Sequence, residues 1–249
     1  MVAAVADYLR SPMIYDSRLT IYDSREQFYQ IVEMTFWPVS SGLSVADLTY
    51  TNALQRRAGE FGIELSAETI TVLGEYHSLL SHWNKRLHLV APSEPAEFAT
   101  RHVLESLLLL KFLPHNAGFV DVGSGAGLPA IPCLIARADL SATMIESSQK
   151  KSVFLREAVN RLGLADRGTI LAKRFEEIKM PQASFVSCRA LDQFMDQLHT
   201  LIDWAPLKTT FLFFGGEALK KRLDSLGAQN SEFLIPLSEK RFIFVVTTS

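Results

Sequence analysis

Cysteine is scarce: Cys133 and Cys188 are the two thiols in 249 residues. That excludes a disulfide-stapled scaffold and a cysteine-based zinc finger. Long apolar runs are missing too. The longest, around 106–113, is interrupted by Lys111 and falls far short of the ~18 residues that a membrane span needs. The first ten residues carry no basic patch and no continuous apolar run, so no secretory leader is expected and a cytoplasmic protein is the default expectation. An excess of one charge is also lacking. The 25 Lys and Arg stand against 27 Asp and Glu, a formal net charge of −2. This balance, with 48% hydrophobic residues, excludes a globally basic nucleic-acid binder and a disordered polyelectrolyte. The six histidines form no i, i+4 pair and have no cysteine at ligand spacing, so no metal site is expected. The nucleophile frame Gly-x-Ser-x-Gly is absent, because Ser124 sits in Gly-Ser-Gly.

What is present is the composition of one large globular domain with an appendage. Residues 1–48 read as an N-terminal extension. Ile-Tyr-Asp-Ser-Arg at 14–18 recurs at 21–25, and Phe36-Trp37-Pro38 followed by Ser40-Ser41-Gly42 marks a break. Residues 49–116 read as a small helical subdomain. Leu73, Tyr76, Leu80, Trp83 and Leu87 fall three and four apart and make one apolar stripe. Ser66 suits its N-cap, and Glu68 its first turn, where the helix dipole favours an anion. A second helix is expected to start at Ser93-Glu94-Pro95 and stop before Pro114.

From 117 onward, β-rich runs alternate with helical ones. Strands are expected over 118–122, 141–145, 169–172, 184–187, 210–214, 233–235 and 241–246, with helices over 128–137, 148–162, 192–204 and 217–226. Such alternation means parallel βαβ units and a doubly wound α/β sheet. The last two strands leave no room for a crossover helix, so they should close the sheet as an antiparallel hairpin. Local charge is less even than the total. Residues 147–190 hold nine basic side chains (Lys150, Lys151, Arg156, Arg161, Arg167, Lys173, Arg174, Lys179, Arg189) against four acidic ones. Such a face can meet phosphate, or simply be solvated.

The sharpest signal is Asp121-Val122-Gly123-Ser124-Gly125-Ala126-Gly127-Leu128-Pro129, where a strand runs through glycines into a helix. Glycines let the backbone turn tightly and approach a ligand closely. The dinucleotide fingerprint G-x-G-x-x-G wants glycine where Leu128 stands. Asp121 suits a ligand bearing an ammonium group better than one bearing a pyrophosphate. Glu146 lies 19 residues past Gly127, at the expected end of the next strand. An acid there can accept hydrogen bonds from both ribose hydroxyls. The two acids point to an adenosyl ligand, and S-adenosylmethionine fits both; the bland alternative is a structural turn.

With these motifs in view, the chain resembles the bacterial 16S ribosomal RNA guanine-N7 methyltransferases, the glucose-inhibited division protein B family, over residues 50–246. The motifs that carry the resemblance come in that family's order. They are Trp83-Asn84-Lys85, Arg101-His102-Val103-Leu104-Glu105-Ser106, the loop 121–129 with Ile131-Pro132 after it, Glu146-Ser147 leading to Lys150-Lys151 and Phe154-Leu155, Arg174-Phe175-Glu176, and Arg189-Ala190. There are departures. Glu105 and Glu146 stand where the family usually has Asp, Ala130 replaces Gly, His88 replaces Asn, and Phe175 replaces a small residue beside the expected adenine site. Phe213-Phe214-Gly215-Gly216 lacks the Lys that the family tends to carry near Gly215.

The resemblance implies a Rossmann-like class I S-adenosylmethionine-dependent methyltransferase domain over 117–249. It implies methyl transfer to N7 of a guanosine in 16S ribosomal RNA. The cofactor would be held by Asp121, Gly123, Ser124, Gly125, Gly127, Leu128, Glu146, Ser147, Phe175, Glu176 and Arg189. Arg189 would also position the substrate, and no general base is expected, because N7 offers a lone pair and carries no proton. RNA contacts would come from Arg101, His102, Lys150, Lys151 and Arg174. The implied partner is 16S ribosomal RNA or a small-subunit assembly particle, met by a monomer without membrane or metal. Two rival readings stay open. One is the same fold acting on another RNA or a small molecule, which the missing Lys favours. The other is a catalytically silent RNA-binding ribosome-assembly factor.

Overall fold

The structure, a computed structural model, describes residues 45–189 and 195–248. Most of the expected extension 1–48, and the start of the helix expected over 192–204, lie outside the described residues. Seven strands follow the alternation read from the sequence: β1 (Gly118–Val122), β2 (Ser141–Ile145), β3 (Gly168–Leu171), β4 (Phe185–Cys188), β5 (Thr210–Gly215), β6 (Asn230–Leu234) and β7 (Phe242–Thr247). They form one sheet in the order β3-β2-β1-β4-β5-β7-β6. The first five strands are parallel, and β7 runs antiparallel to both β5 and β6. The expected closing hairpin is therefore present, with the last strand placed inside the sheet.

Side-chain polarity explains that placement. Phe242-Ile243-Phe244-Val245-Val246 is apolar on both faces, and Ile243, Phe244 and Val246 are buried. A strand apolar on both faces needs neighbours on both edges. Asn230-Ser231-Glu232 is polar and mostly exposed, as suits an edge strand. The ladder from Asn230↔Val246 to Leu234↔Phe242 also carries β6 further toward the N-terminus than hydrophobicity alone indicates.

Helices cover both faces. The front section holds α1 (Val45–Arg57), α2 (Ala67–Leu87) and a helical stretch over 95–111, here α3. The α1 helix had no clear stripe in the sequence, because only Tyr50, Ala53 and Leu54 are buried along it. Ser66 caps α2 as expected, its Oγ accepting from the Thr69 N–H at 3.1 Å. The α3 stretch is not uniform. It begins α-helical at Pro95–Phe98, widens to a π-helix at Ala99–Leu104, returns to α-helix at Glu105–Leu107 and tightens to a 3₁₀ turn at Leu108–Lys111. The crossovers are α4 (Ala130–Ala136), α5 (Gln149–Arg161), α6 (Leu198–Trp204) and α7 (Glu217–Ser225).

On one face Val120, Val122, Val186, Phe211, Phe213 and Phe244 pack with Leu198 and Leu201 of α6 and Leu219 and Leu223 of α7. On the other, Trp83 of α2 meets Phe154 of α5 edge-on at 5.8 Å. Strand order reverses between β1 and β4, so their C-terminal ends flank the crevice where open α/β sheets bind ligands. At the opposite end of the sheet, Arg167 donates to the carbonyls of Leu134, Arg137 and Leu140 at 3.0–3.1 Å. One member of the basic stretch is thus spent inside the fold. Arg167→Met should lower unfolding stability by about 2–3 kcal/mol, the scale of lost charge-assisted hydrogen bonds. Because that anchor lies far from the crevice, calorimetric affinity for an adenosyl ligand should not change.

Candidate functional site

The glycine loop leaves β1 at the reversal point. Its first amides turn back onto β2: the N–H groups of Gly123 and Ser124 donate to the Ile145 carbonyl at 2.9 and 3.2 Å. The Ser124 Oγ donates to the Asp121 carbonyl at 3.0 Å. Gly127 has φ +82°, and a Cβ there would stand 2.3 Å from the Ile131 Cδ1. Glycine at that position is therefore forced twice, by the left-handed backbone and by the close seat of α4.

Glu146 braces this loop. One carboxylate oxygen accepts from the Gly125 N–H and the other from the Ser148 N–H, each at 2.8 Å. The side chain is buried, so the acid expected at the ribose is also the strut between the first and second strand ends. Ser147 beside it is exposed. Asp121 lies in register with Ser187 on the neighbouring β4 strand, whose Oγ donates to its Oδ1 at 2.7 Å. Its Oδ2 is buried without a hydrogen-bond partner. Burial, opposed by the serine hydrogen bonds and aided by the charge of Glu146, pushes the Asp121 carboxyl up to about 7. An orphaned carboxylate oxygen beside a glycine loop fits a ligand that brings a cationic amine.

Arg189 leaves the end of β4 and turns toward α3. It donates to the His102 carbonyl at 2.8 Å, to the Ser106 Oγ at 2.9 Å and to the Arg101 carbonyl. It also pairs with Glu105 at 3.4 Å, and its guanidinium lies over the Phe214 ring, 5.7 Å from the centroid. Two of these acceptors are carbonyls of the π-helical turn, and the His102 carbonyl also accepts from the Ser106 Oγ. The resemblance implied an arginine that holds the cofactor and positions the substrate; here its guanidinium points into α3, and the acid it meets is Glu105.

The other expected contacts are spread along the same rim. Arg101 is exposed and pairs with Glu97 at 2.9 Å. His102 is driven down to about 3 by burial and by Arg189, Arg101 and Arg241, so it is uncharged at neutral pH. Lys150 and Lys151 sit in the first turn of α5, just past Glu146. Arg174 pairs with Glu176 at 3.0 Å. Phe175 is buried and meets Trp204 edge-on at 5.5 Å, which places it in the packing beneath α6.

Three residues of this region were not singled out by sequence reading. Tyr76 looked like one more member of an apolar stripe, yet its hydroxyl donates to the Ala126 carbonyl at 2.8 Å. Ser187 is an unremarkable strand serine until register puts it beside Asp121. Arg241 precedes β7, whose Phe242 pairs with Gly215 across the ladder. It brings a cation to the strand end where the expected Lys is missing, and it forms an ion pair with Glu105. Gly215 itself has no room for a side chain, since a Cβ would lie 2.5 Å from Leu219 Cδ2.

The raised Asp121 carboxyl carries a stability consequence. Below its ordinary value of 3.8 both folded and unfolded chains are protonated. As pH rises toward about 7 the unfolded chain has lost that proton while the folded chain still holds it, so stability falls across this window. Asp121→Asn should therefore be more stable than the parent at pH 8 by about 2–4 kcal/mol. Chemical denaturation should show the gap closing below pH 4.

Comparison with known proteins bears on this geometry. The family model described as rRNA small subunit methyltransferase G matches residues 69–238. A protein named ribosomal RNA small subunit methyltransferase G from Anaeromyxobacter dehalogenans (strain 2CP-C) is 33% identical over 201 residues, 77% of this chain and 90% of its own length. The protein of the same name from Nitrosomonas europaea is 37% identical over 181 residues, 69% of this chain and 81% of its own. The solved structure of an O-methyltransferase from Bacillus cereus in complex with SAH matches 81% of this chain and 100% of its own, with a TM-score of 0.54. At 14% identity that likeness shows the fold alone. Given the match over 69–238 and relatives of this closeness, the chain belongs to the rRNA small subunit methyltransferase G family.

Proposed function

We propose that this chain transfers the methyl group of S-adenosylmethionine to N7 of a guanosine in 16S ribosomal RNA. It does so as a cytoplasmic monomer that meets the RNA alone or in a small-subunit assembly particle. The observation that carries the reading is the glycine loop at the β1/β4 reversal with the unpartnered Asp121 Oδ2 beside it, in a chain of this family. Among the described residues no helix is long and apolar enough to cross a membrane.

When bound, S-adenosylmethionine supplies an electrophilic methyl group on a sulfonium. The residues of the chain bind, orient and exclude water. Asp121 takes the ammonium end, the loop residues Gly123, Ser124, Gly125, Gly127 and Leu128 cradle the ligand, Glu146 and Ser147 face the ribose, and Phe175 and Glu176 bound the adenine side. N7 carries no proton, so no residue has to remove one. Holding nucleophile and methyl in line is worth up to ~7–11 kcal/mol, and that is where the rate comes from. Arg189 positions the substrate through α3, by holding the π-helical turn that presents Arg101 and His102. Arg101, Lys150, Lys151 and Arg174 meet phosphate. Uncharged His102 stacks on or hydrogen-bonds to a base. N7 faces the narrow major groove in A-form RNA, so the target lies in a loop or irregular segment.

The division into 1–48, 49–116 and 117–249 belongs to the same reading, and the part of the extension that precedes α1 is dispensable for transfer. The cut must come before α1, because Asp47 accepts from the Ser78 Oγ at 2.8 Å. A chain starting at Ser44 should methylate at the parent rate in a single-turnover assay.

The central test uses labelled S-adenosylmethionine and 16S ribosomal RNA from cells lacking this protein. Mass spectrometry should find one new 7-methylguanosine. Cofactor binding without transfer to any ribosomal RNA or particle would favour the assembly factor, and transfer to another RNA would favour the rival substrate. Calorimetry adds a pH signature. An ammonium arriving at Asp121 displaces its proton, so affinity should rise up to about pH 7 and fall again above about 8, where an α-amino group deprotonates. Asp121→Asn should flatten the lower limb.

A further inference from the structure

The loop's most exposed weakness is one peptide plane. Ala126 lies between Gly125 at φ +53° and Gly127 at φ +82°, so the plane joining 126 and 127 has little of its own to stop it turning. Its two polar ends are both held. The Gly127 N–H donates to the Ser124 carbonyl at 2.6 Å. The Ala126 carbonyl accepts from the Tyr76 hydroxyl at 2.8 Å, across fifty positions of sequence. Among the described residues no backbone N–H reaches that carbonyl. Tyr76 is fully buried on the inner side of α2, and burial pushes its phenol well above its ordinary range. It is therefore a hydrogen-bond donor at every working pH, and its ring is fixed by the stripe that includes Leu73, Leu80 and Trp83.

We infer that Tyr76 is a positioning residue for cofactor binding: its hydroxyl pins the 126–127 peptide plane and holds the glycine loop in its ligand-ready shape before the ligand arrives. The inference rests on the reading that this loop takes S-adenosylmethionine. Its physical content is preorganisation. If the pin is lost, the loop spends part of its time in shapes that do not bind, and apparent affinity falls by the fraction that remains competent. The helical front section then takes part in the site through α2 as well as through α3.

Tyr76→Phe removes one O–H and keeps the ring. In the cofactor-free chain, the Gly127 amide should exchange its hydrogen roughly tenfold faster, the scale of one lost hydrogen bond. By calorimetry, S-adenosylmethionine should bind about three- to tenfold more weakly. The single-turnover rate at saturating cofactor should stay within about twofold of the parent, because the bound loop has the same shape. Arg167→Met, which removes the anchor at the opposite end of the sheet, serves as the stability control. It should lower the melting temperature and leave both the exchange rate and the affinity unchanged. Parent-like exchange and affinity in Tyr76→Phe overturn the inference. So does an equal loss of affinity in Arg167→Met, which would make the effect one of stability alone. A parent chain that does not bind S-adenosylmethionine would sink the functional reading instead, while the exchange measurement would still decide whether Tyr76 pins the loop.

Discussion

A largely buried guanidinium ties the helical front section to the sheet. Arg189 enters from the end of β4 and gives its donors to the Arg101 and His102 carbonyls, the Ser106 hydroxyl and the Glu105 carboxylate. A charge so little exposed is tolerable only when its donors are satisfied and an opposite charge stands near. The π-helical turn of α3 supplies two of the acceptors, the Arg101 and His102 carbonyls, the latter shared with the Ser106 hydroxyl. Each side needs the other. Without the arginine Glu105 would lose one of its two cations, and without this part of α3 the arginine would have few acceptors. The crevice at the β1/β4 reversal takes its shape from that junction.

Charge around the crevice is arranged at a cost. Glu105 lies between Arg189 and Arg241, yet burial still raises its carboxyl. Burial, together with these two arginines and Arg101, suppresses protonation of His102. Asp121 keeps one carboxylate oxygen without a partner in a buried setting. These are the features that a purely structural core avoids. They gather at one end of the sheet, where the strand order reverses, and they give a cationic ligand something to complete.

Several parts of the site were legible because they are local. A glycine at φ +82° against Ile131 is written as Gly127 in a strand-to-helix turn. Ser66 announces its cap by position, and it accepts from the expected amide. Other parts were illegible because their meaning depends on a distant partner. Tyr76 reads as a core aromatic until its hydroxyl meets residue 126. Arg167 reads as one more surface charge until three carbonyls surround it. The basic stretch of 147–190 consequently overstates the free cations, since Arg167 and Arg189 point inward.

The sequence by itself determined the strand–helix alternation, the glycine loop, the two acids at 121 and 146, the closing antiparallel pair and the family. The family follows from the resemblance of its motifs in order, and the others from periodicity, spacing or local backbone demands. Tertiary structure alone decided that β7 lies inside the sheet and β6 at its edge, that Glu146 spends both oxygens on backbone amides, that His102 is uncharged, and that Arg241 brings a cation to the strand end at Gly215. The reason is physical. A residue's propensity is its own, but its charge state and its hydrogen-bond partners are set by groups that only folding brings within a few ångströms.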